Sequence, residues 1–276
     1  MLKHTLAFIN SHTIPRKCLL LFFSVAMGWM HPGARAASLS WSGGGGANAN
    51  WNNSANWGFA GIPASGDTLI FPASQPNLLN TNNLVGLTLN QIRFVGAGGG
   101  YNIRGNAIIL TNHIEATNSA GANSLGTPIT LATKDQIINV TISLTNAGSL
   151  SGSVGVIKNG AGSLSYEAAI SNPYSGTTTV NGGTLLLHCG GISSAFAGPL
   201  VINNAAVRLT TLDRELPNFQ PITINAGGLL DLNNLNEDIG GSLTLNNGGT
   251  INVGTAALTI FPPNSLLNYF PGVLNI

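Results

Sequence analysis

The sequence predicts an all-β protein: a right-handed parallel β-helix, also called a β-solenoid, with an N-terminal cap region rich in Trp, Gly and Asn. The first observation is the composition, because 7% of the 276 residues are charged, against about 25% in an ordinary soluble domain. The second is the abundance of Val, Ile, Leu and Thr in short alternating runs, which is typical of strands and not of disordered chains. The third is a period of about 22 residues, typical of solenoids, between Asn159, Asn181, Asn203, Asn225 and Asn246.

The N-terminal segment has the pattern of a signal peptide. Basic residues precede an apolar stretch over 18–30 that is too short to span a bilayer as a helix, and a small-x-small sequence follows at 34–36. We therefore expect residues 1–36 to be a cleaved signal peptide and the protein to be exported. An uncleaved membrane anchor is the alternative.

Loss of this leader would leave a mature chain with a small negative charge. It removes four of the ten Lys and Arg residues and none of the nine acidic residues, so the formal net charge becomes −3. Nucleic-acid surfaces need clustered Lys and Arg, and we expect no nucleic-acid partner. The mature chain keeps Cys189 as its one cysteine and two histidines, so we expect no intrachain disulfide, no structural zinc site and no cofactor. No second stretch of membrane-spanning length follows the leader, so we expect no transmembrane segment in the mature chain.

Residues 37–83 form a section of their own, which we expect to be a cap. It contains three of the four tryptophans, Trp41, Trp51 and Trp57, among Gly and Asn residues. Aromatic side chains in this setting suit either a platform for stacking sugars or an apolar lid over the first coil of a β structure. We favour the lid, because an open sheet end is a liability that proteins cover.

Residues 84–276 read as short strands separated by Asn-led turns, enough for eight or nine coils. Such a unit cannot bury its apolar face alone, but it can when it stacks on a neighbour about 4.8 Å away. We then expect one inward column, made of Val180, Ile202, Ile224 and Leu245. Asn suits the repeated turn because it tolerates left-handed backbone geometry, and stacked Asn side chains can hydrogen-bond as a ladder.

The clearest unit covers 156–187 and reads VIKNGAGSLSYEAAISNPYSGTTTVNGGTLLL. It resembles the autotransporter-associated β-strand repeat, found in passenger regions of Gram-negative surface proteins, whose pattern is Lys-x-Gly-x-Gly, then N-x-Y-x-G-x-T, then V-N-x-G-T-L. The matching residues are Lys158, Gly160, Gly162, Leu164, Asn172, Tyr174, Gly176, Thr178, Val180, Asn181, Gly183, Thr184 and Leu185. The resemblance implies a parallel β-helix in a secreted or cell-surface passenger, an adhesin-like stalk with surface glycans or other cell-surface proteins as partners.

Autotransporters also carry a C-terminal outer-membrane β-barrel of amphipathic strands of about ten residues. The sequence shows no such series after its repeats, and it reaches Ile276 soon after Asn268, which lies one period beyond Asn246. We therefore do not expect self-transport across an outer membrane. Three alternatives stay open: the sequence is a fragment, the protein is exported by another route, or it stops at the periplasm instead of reaching the cell surface or the medium.

No set of residues in the sequence points to a reaction, so we expect no enzyme and no catalytic, cofactor-binding or metal-binding residues. The motif G-x-S-x-G does not occur, and the glycine run 96–100 fits a turn better than a phosphate loop. The acidic segment 231–238 does not match a calcium-binding loop. His188 and Cys189 are adjacent, so their side chains are expected on opposite faces of a strand, one packed and one exposed. His113 is likewise expected to be a packed or exposed side chain that takes no part in a catalytic or metal site.

A carbohydrate-active enzyme is the alternative, since a β-helix can carry carboxylates, or carboxylates and Arg, that converge on a polysaccharide. The residues for it would be Arg208 with Asp231, or Asp213 with Glu215 in a turn that balances its own charge. Arg208 and Asp231 are expected to be neighbours on adjacent coils, where a surface ion pair is the simpler interpretation. A carbohydrate-binding module that uses the three tryptophans is a further alternative.

Overall fold

A computed structural model describes residues 36–190 and 194–260, together with the backbone of two further strands near the end of the chain. The expected signal peptide therefore lies, except for Ala36, outside the described residues. The strands, in chain order, are β1 (Ser38–Ser40), β2 (Thr68–Pro72), β3 (Leu79–Asn82), β4 (Leu87–Val95), β5 (Asn102–Gly105), β6 (Ile108–Ala116), β7 (Ala122–Leu125), β8 (Ile129–Leu131), β9 (Gln136–Val140), β10 (Ser143–Asn146), β11 (Leu150–Ser151), β12 (Val156–Asn159), β13 (Ser163–Tyr166), β14 (Thr178–Val180), β15 (Thr184–Leu187), β16 (Leu200–Ile202), β17 (Ala206–Leu209), β18 (Ile222–Ile224), β19 (Leu229–Asp231), β20 (Glu237–Ile239), β21 (Leu243–Leu245), β22 (Thr250–Asn252), β23 (Leu258–Ile260), β24 (Leu267–Tyr269) and β25 (Val273–Asn275).

The strands stack in parallel into a β-solenoid of about nine turns, which confirms the predicted all-β solenoid. Sheet A follows the order β1-β2-β4-β6-β9-β12-β14-β16-β18-β21-β24, with β8 and β11 attached beside β6. Sheet B follows the order β3-β5-β7-β10-β13-β15-β17-β19-β22-β25. Among the described residues, helix is limited to one short 3-10 turn, Ser54–Trp57, in the cap region.

Each regular coil contains, in chain order, a strand of sheet A, an Asn-led turn, a strand of sheet B and a third side that leads to the next coil. In one of them, Asn181 and two glycines connect β14 to β15. Gly183 adopts φ +61°, and a Cβ there would lie 2.2 Å from the carbonyl oxygen of Gly162 on the preceding coil. Glycine is therefore required at this turn both by its backbone conformation and by the close approach of the neighbouring coil.

The predicted inward column is confirmed. Val180 pairs in register with Ile202, Ile202 with Ile224, and Ile224 with Leu245. The four side chains are at most 2% exposed. Side chains of a strand alternate between its two faces. In each of these four strands of sheet A, the first and last residues are therefore buried, and the middle residue faces outwards.

A third side closes each coil between a strand of sheet B and the next strand of sheet A. It carries strands early in the chain, where β8 pairs with β11 and with the first part of β6, and again later, where β20 pairs with β23. Between these two places the described residues of this side form one isolated bridge, from Asn172 to Phe196. The third side, the least regular of the three, is defined here as residues 87–89, 108–110, 129–131, 150–151, 167–177, 188–190, 194–199, 210–221, 232–242 and 253–260.

The solenoid begins earlier than residue 84, where the sequence placed its start. Strands β1, β2 and β3 lie within the expected cap region 37–83, yet they pair into sheets A and B. Ser38 pairs with Thr68, 30 residues away, and Thr68 pairs with Gln91. The long first coil, which contains the cap tryptophans, hides the 22-residue period that marks later coils.

In the last coil, the spacing of Asn268 does not match its register. Asn268 lies one period beyond Asn246, but it pairs in register with Thr244, because Leu245 pairs with Tyr269. It therefore occupies the position of Thr244 in its coil and does not continue the series of turn asparagines.

Candidate functional site

The three tryptophans of the cap lie in the core. Trp41, Trp51 and Trp57 are at most 1% exposed, and the ring centroid of Trp57 lies 5.1 Å from that of Trp41 and 6.0 Å from that of Trp51. The Phe71 ring of β2 lies within 6.2 Å of all three, and the Trp51 indole N–H donates to Oδ1 of Asn80 at 2.8 Å. These rings fill the interior of the first coil, and their faces are not available for stacking sugars.

Asn side chains join neighbouring coils along the corner between sheets A and B. Nδ2 of Asn181 donates to Oδ1 of Asn159 at 3.0 Å, and Nδ2 of Asn203 donates to Oδ1 of Asn181 at 2.9 Å. The same bond continues through Asn225 to Asn246. This series, the Asn ladder, confirms the ladder expected from the spacing. The inner amides act as both donor and acceptor to other coils, so these side chains serve the fold.

A lysine occupies an inward position of sheet A. Lys158 pairs in register with Ile138 and Val180, and it is fully buried. Its Nζ donates to the carbonyl oxygens of Gly160 at 2.8 Å and Gly182 at 2.7 Å. Burial lowers the pKa of this lysine to about 8. The lysine of the family-like motif therefore binds turn carbonyls of two coils, a role that the sequence did not reveal.

Buried hydrogen bonds account for the N-x-Y-x-G-x-T part of the motif. Oδ1 of Asn172 accepts the N–H of Leu150 on the preceding coil at 2.8 Å, and its Nδ2 donates to the carbonyl of Ala195 on the next at 2.9 Å. The hydroxyl of Tyr174 lies 2.6 Å from Oγ1 of Thr178. Asn172 thus connects three coils on the third side, and it is not available to a ligand.

Arg208 and Asp231 are neighbours on adjacent coils, as expected. They are register partners in β17 and β19, and Nη1 of Arg208 lies 3.4 Å from Oδ2 of Asp231. Oδ1 of Asp231 accepts from Nδ2 of Asn252 at 3.0 Å, and Arg208 also donates to Asn233. The register neighbours of Asp231 are thus Arg208 and Asn252, not the second carboxylate that a glycosidase pair requires.

Asp213 and Glu215 lie in different environments and do not converge. Asp213 is exposed and accepts the N–H of Asn236 at 2.8 Å, whereas Glu215 is 1% exposed. Nε of Arg214 lies 2.9 Å from Oδ2 of Asp238. The expectation that this turn balances its own charge is therefore wrong, because the chain turns Glu215 inwards and Arg214 towards the next coil.

Glu215 and Glu237 form a pair of buried carboxyl groups on successive coils of the third side. Oε2 of Glu215 accepts the N–H of Cys189 at 3.4 Å, and Oε2 of Glu237 accepts the N–H of Leu216 at 3.2 Å. Burial raises the pKa of each carboxyl to about 7, although the backbone hydrogen bonds lower it. Within the described residues, Oε1 of Glu215 has no hydrogen-bond partner. The sequence placed Glu237 only within the acidic segment 231–238 and not among the candidate site residues.

His188 and Cys189 point to opposite faces, as expected. His188 is exposed, whereas Cys189 is 1% exposed and burial raises the pKa of its thiol to about 12. This pair therefore cannot act as a thiolate with a histidine base. The second histidine, His113, has its Nε2 3.3 Å from Oε1 of Glu115, whose other oxygen lies 2.7 Å from Nε of Arg93.

A recess opens on the third side where the described residues lack strands. It has a volume of about 420 Å³ and is lined by Glu167, Ala168, Ala169, His188, Gly190, Thr211 and Leu212. Oε1 of Glu167 accepts from the hydroxyl of Ser165 at 2.8 Å, which orients the carboxylate. The recess could not be predicted from the sequence, because its residues come from three coils and none of them is among the matching residues of the family-like unit.

Two further features concern residues 36–190 and 194–260. This part of the chain contains no group of three or more His, Cys, Asp and Glu side chains placed to hold a metal ion. It also contains no helix with the length and apolar character needed to cross a membrane.

Comparisons with known proteins find no match to this chain among family models, curated proteins or solved structures. The resemblance of 156–187 to the autotransporter-associated repeat is therefore supported only by the matching residues of that segment.

Proposed function

We propose that this protein is a secreted or cell-surface structural protein whose outer faces make contacts with other molecules, in the manner of an autotransporter passenger. The Asn ladder is the observation that carries the proposal. Its amides are the most regularly repeated polar groups of the later coils, and they bind neighbouring coils. Polar side chains that bond to neighbouring coils stabilise an elongated stalk and are not free to bind a substrate.

The outward column of sheet A supports a role in contact. Thr179, Val201, Thr223 and Thr244 are register partners on successive coils, and all four are partly exposed. Small uncharged side chains repeated at about 4.8 Å form an even, neutral surface. Such a surface suits neutral partners such as glycans or the polar surfaces of other proteins better than it suits nucleic acid.

Export is tested with the full chain expressed in a Gram-negative host. Fractionation and protease treatment of intact cells should place the wild-type protein outside the inner membrane, with residues 1–36 removed as shown by mass spectrometry. The matched control is Leu21→Arg, which interrupts the apolar core of the leader and should keep the full-length chain inside the cell. Retention of the wild-type chain in the cytoplasm would overturn the proposal.

The enzyme alternative is tested on the purified protein. We expect no depolymerisation of neutral or acidic glycans, because Asp231 is engaged by Arg208 and Asn252. Turnover that is lost in Asp231→Asn but kept in Asp213→Asn would replace a structural role with a catalytic one.

A further inference from the structure

The recess on the third side has the size and position of a small-molecule site. Its volume of about 420 Å³ falls within the range of about 300–1,000 Å³ typical of ligand pockets. It lies where an isolated bridge from Asn172 to Phe196 replaces the strands that cover this side in other coils. An interruption in strand coverage therefore creates a concave surface on an otherwise regular solenoid.

The strand register places two of its polar groups on adjacent coils. Tyr166 of β13 is the register partner of Leu187 of β15, and the residues that follow them are Glu167 and His188. The N–H of His188 donates to the carbonyl of Tyr166 at 3.0 Å, so Glu167 and His188 lie one coil apart, about 4.8 Å. Thr211 contributes from the next coil. The carboxylate and the imidazole thus lie side by side on adjacent coils. The Thr211 hydroxyl lies one residue beyond Thr210, the residue that the register places opposite His188.

The lining combines hydrogen-bonding groups with a small apolar surface. Glu167 accepts hydrogen bonds, whereas His188 and Thr211 can both donate and accept them. Ala169 and Leu212 add apolar surface. A sugar residue needs this combination, because its hydroxyls require both donors and acceptors while its C–H groups pack on apolar side chains.

The charge of the lining favours neutral sugars over anionic ones. The lining contains one carboxylate, Glu167, and neither Lys nor Arg, so an anionic ligand would be repelled. A metal ion also fits poorly, because the described residues place no three metal-ligating side chains together. We propose that this recess binds a single neutral sugar residue at the end of a glycan, an inference that rests on the proposed function of surface contact.

The inference is tested by NMR titration of the ¹⁵N-labelled full chain. Glucose, galactose, mannose and N-acetylglucosamine serve as neutral probes, and galacturonate serves as the anionic probe. The imidazole signals of His188 and His113 are assigned by their loss in His188→Ala and His113→Ala. We expect at least one neutral sugar to shift the His188 signals and leave those of His113 in place, with weaker binding of galacturonate.

Calorimetry on variants locates the binding. Glu167→Gln and His188→Ala should each weaken the binding of the active sugar about tenfold, the effect of one lost hydrogen bond to a charged or strongly polar group. His113→Ala and Thr179→Ala are matched controls outside the recess and should leave the dissociation constant unchanged. The folded state of each variant is checked by circular dichroism before titration.

Three outcomes would overturn the inference: no neutral sugar shifts the His188 signals, affinity is unchanged in both recess variants, or galacturonate binds more tightly than every neutral probe. These measurements use purified protein and do not depend on its location. Retention in the cytoplasm with intact sugar binding contradicts the proposed function alone, and export without sugar binding contradicts this inference alone.

Discussion

Each regular strand of sheet A begins at the third side and ends at the Asn ladder, and the two ends are stabilised in different ways. At the ladder, neutral amides repeat at one position and bond to the same group on the next coil. On the third side, Asn172, Glu215 and Glu237 each accept a backbone N–H from the preceding coil, but their chemistry changes from coil to coil. Hydrogen bonds between coils are thus made by one repeated residue type at the ladder and by different residue types on the third side.

The difference has an energetic consequence. A neutral amide tolerates partial burial as long as its hydrogen bonds are formed, so the ladder adds similar small increments at each coil. A buried carboxyl must hold a proton or carry a desolvated charge, so the third side responds to pH. The ladder therefore does not respond to pH, whereas the irregular third side contains both the titrating carboxyl groups and the recess.

The largest expected effect is that of Gly176→Ala, at the end of the third side. A Cβ at this position would lie 2.1 Å from the backbone nitrogen of Gly155 on the preceding coil, and backbone atoms cannot move aside as a side chain can. We expect a loss of about 3 kcal/mol or more in the free energy of unfolding, measured by urea denaturation. The control is Gly98→Ala, whose Cβ would meet its nearest atom at 3.4 Å. Equal effects of the two variants would contradict a tight coil contact here.

The second prediction concerns pH. Because the pKa of Glu215 and of Glu237 is about 7 in the folded chain and 4.5 in the unfolded one, the folded state holds more protons between these values. Stability should therefore fall as pH rises from about 4.5 to 7 and stay low above it. Each carboxyl accounts for about 3 kcal/mol at most, from the size of its pKa shift.

Glutamine variants isolate this effect. Glu215→Gln and Glu237→Gln keep the oxygen that accepts the backbone N–H and remove the titration, so each should flatten the pH dependence of the unfolding midpoint and stabilise the protein at pH 8. Asp213→Asn, an exposed position on the same side, should leave the slope unchanged. A wild-type slope that persists in both glutamine variants would assign the pH response to other groups.

The sequence predicted the regular end of the coil well, because its signals are local. Alternation with period 2 identified the inward column, and the recurrence of Asn identified the ladder through residues such as Asn181 and Asn203. Each signal reports a feature that every coil must satisfy in the same way. The start of the solenoid was missed because the first coil has a spacing of 30 residues from Ser38 to Thr68.

The third side was not predictable in the same way. An acidic residue in a loop sequence indicates an exposed side chain, whereas Glu215 is buried because the loop folds back to satisfy the N–H of Cys189. Lys158 likewise occupies an inward position that alternation assigns to an apolar residue, and its Nζ reaches the turn carbonyls. Such placements depend on the path of the neighbouring coils, which no local pattern encodes.

The third prediction measures one step of the ladder. Asn203→Ala removes side-chain hydrogen bonds to Asn181 and Asn225, and we expect a cost of about 1–2 kcal/mol. Asn246→Ala removes the single ladder bond described for that residue and should cost about half as much. Urea denaturation of both variants gives the comparison. A larger cost at Asn246 would mean that the ladder is not a sum of similar steps.

The smallest effect is expected for Arg208→Ala. The guanidinium group of Arg208 is about half exposed on the outer face of sheet B, whereas its partner Asp231, 3.4 Å away, is 8% exposed. Because water screens the guanidinium side of the pair, we expect it to contribute about 1 kcal/mol or less. Asp231 keeps its hydrogen bond from Asn252 when Arg208 is removed, so it is not left without a partner. Urea denaturation at low and high salt should show a small difference that shrinks with salt. A loss as large as that of Asn203→Ala would place this pair among the groups that hold the coils together, beside the Asn ladder.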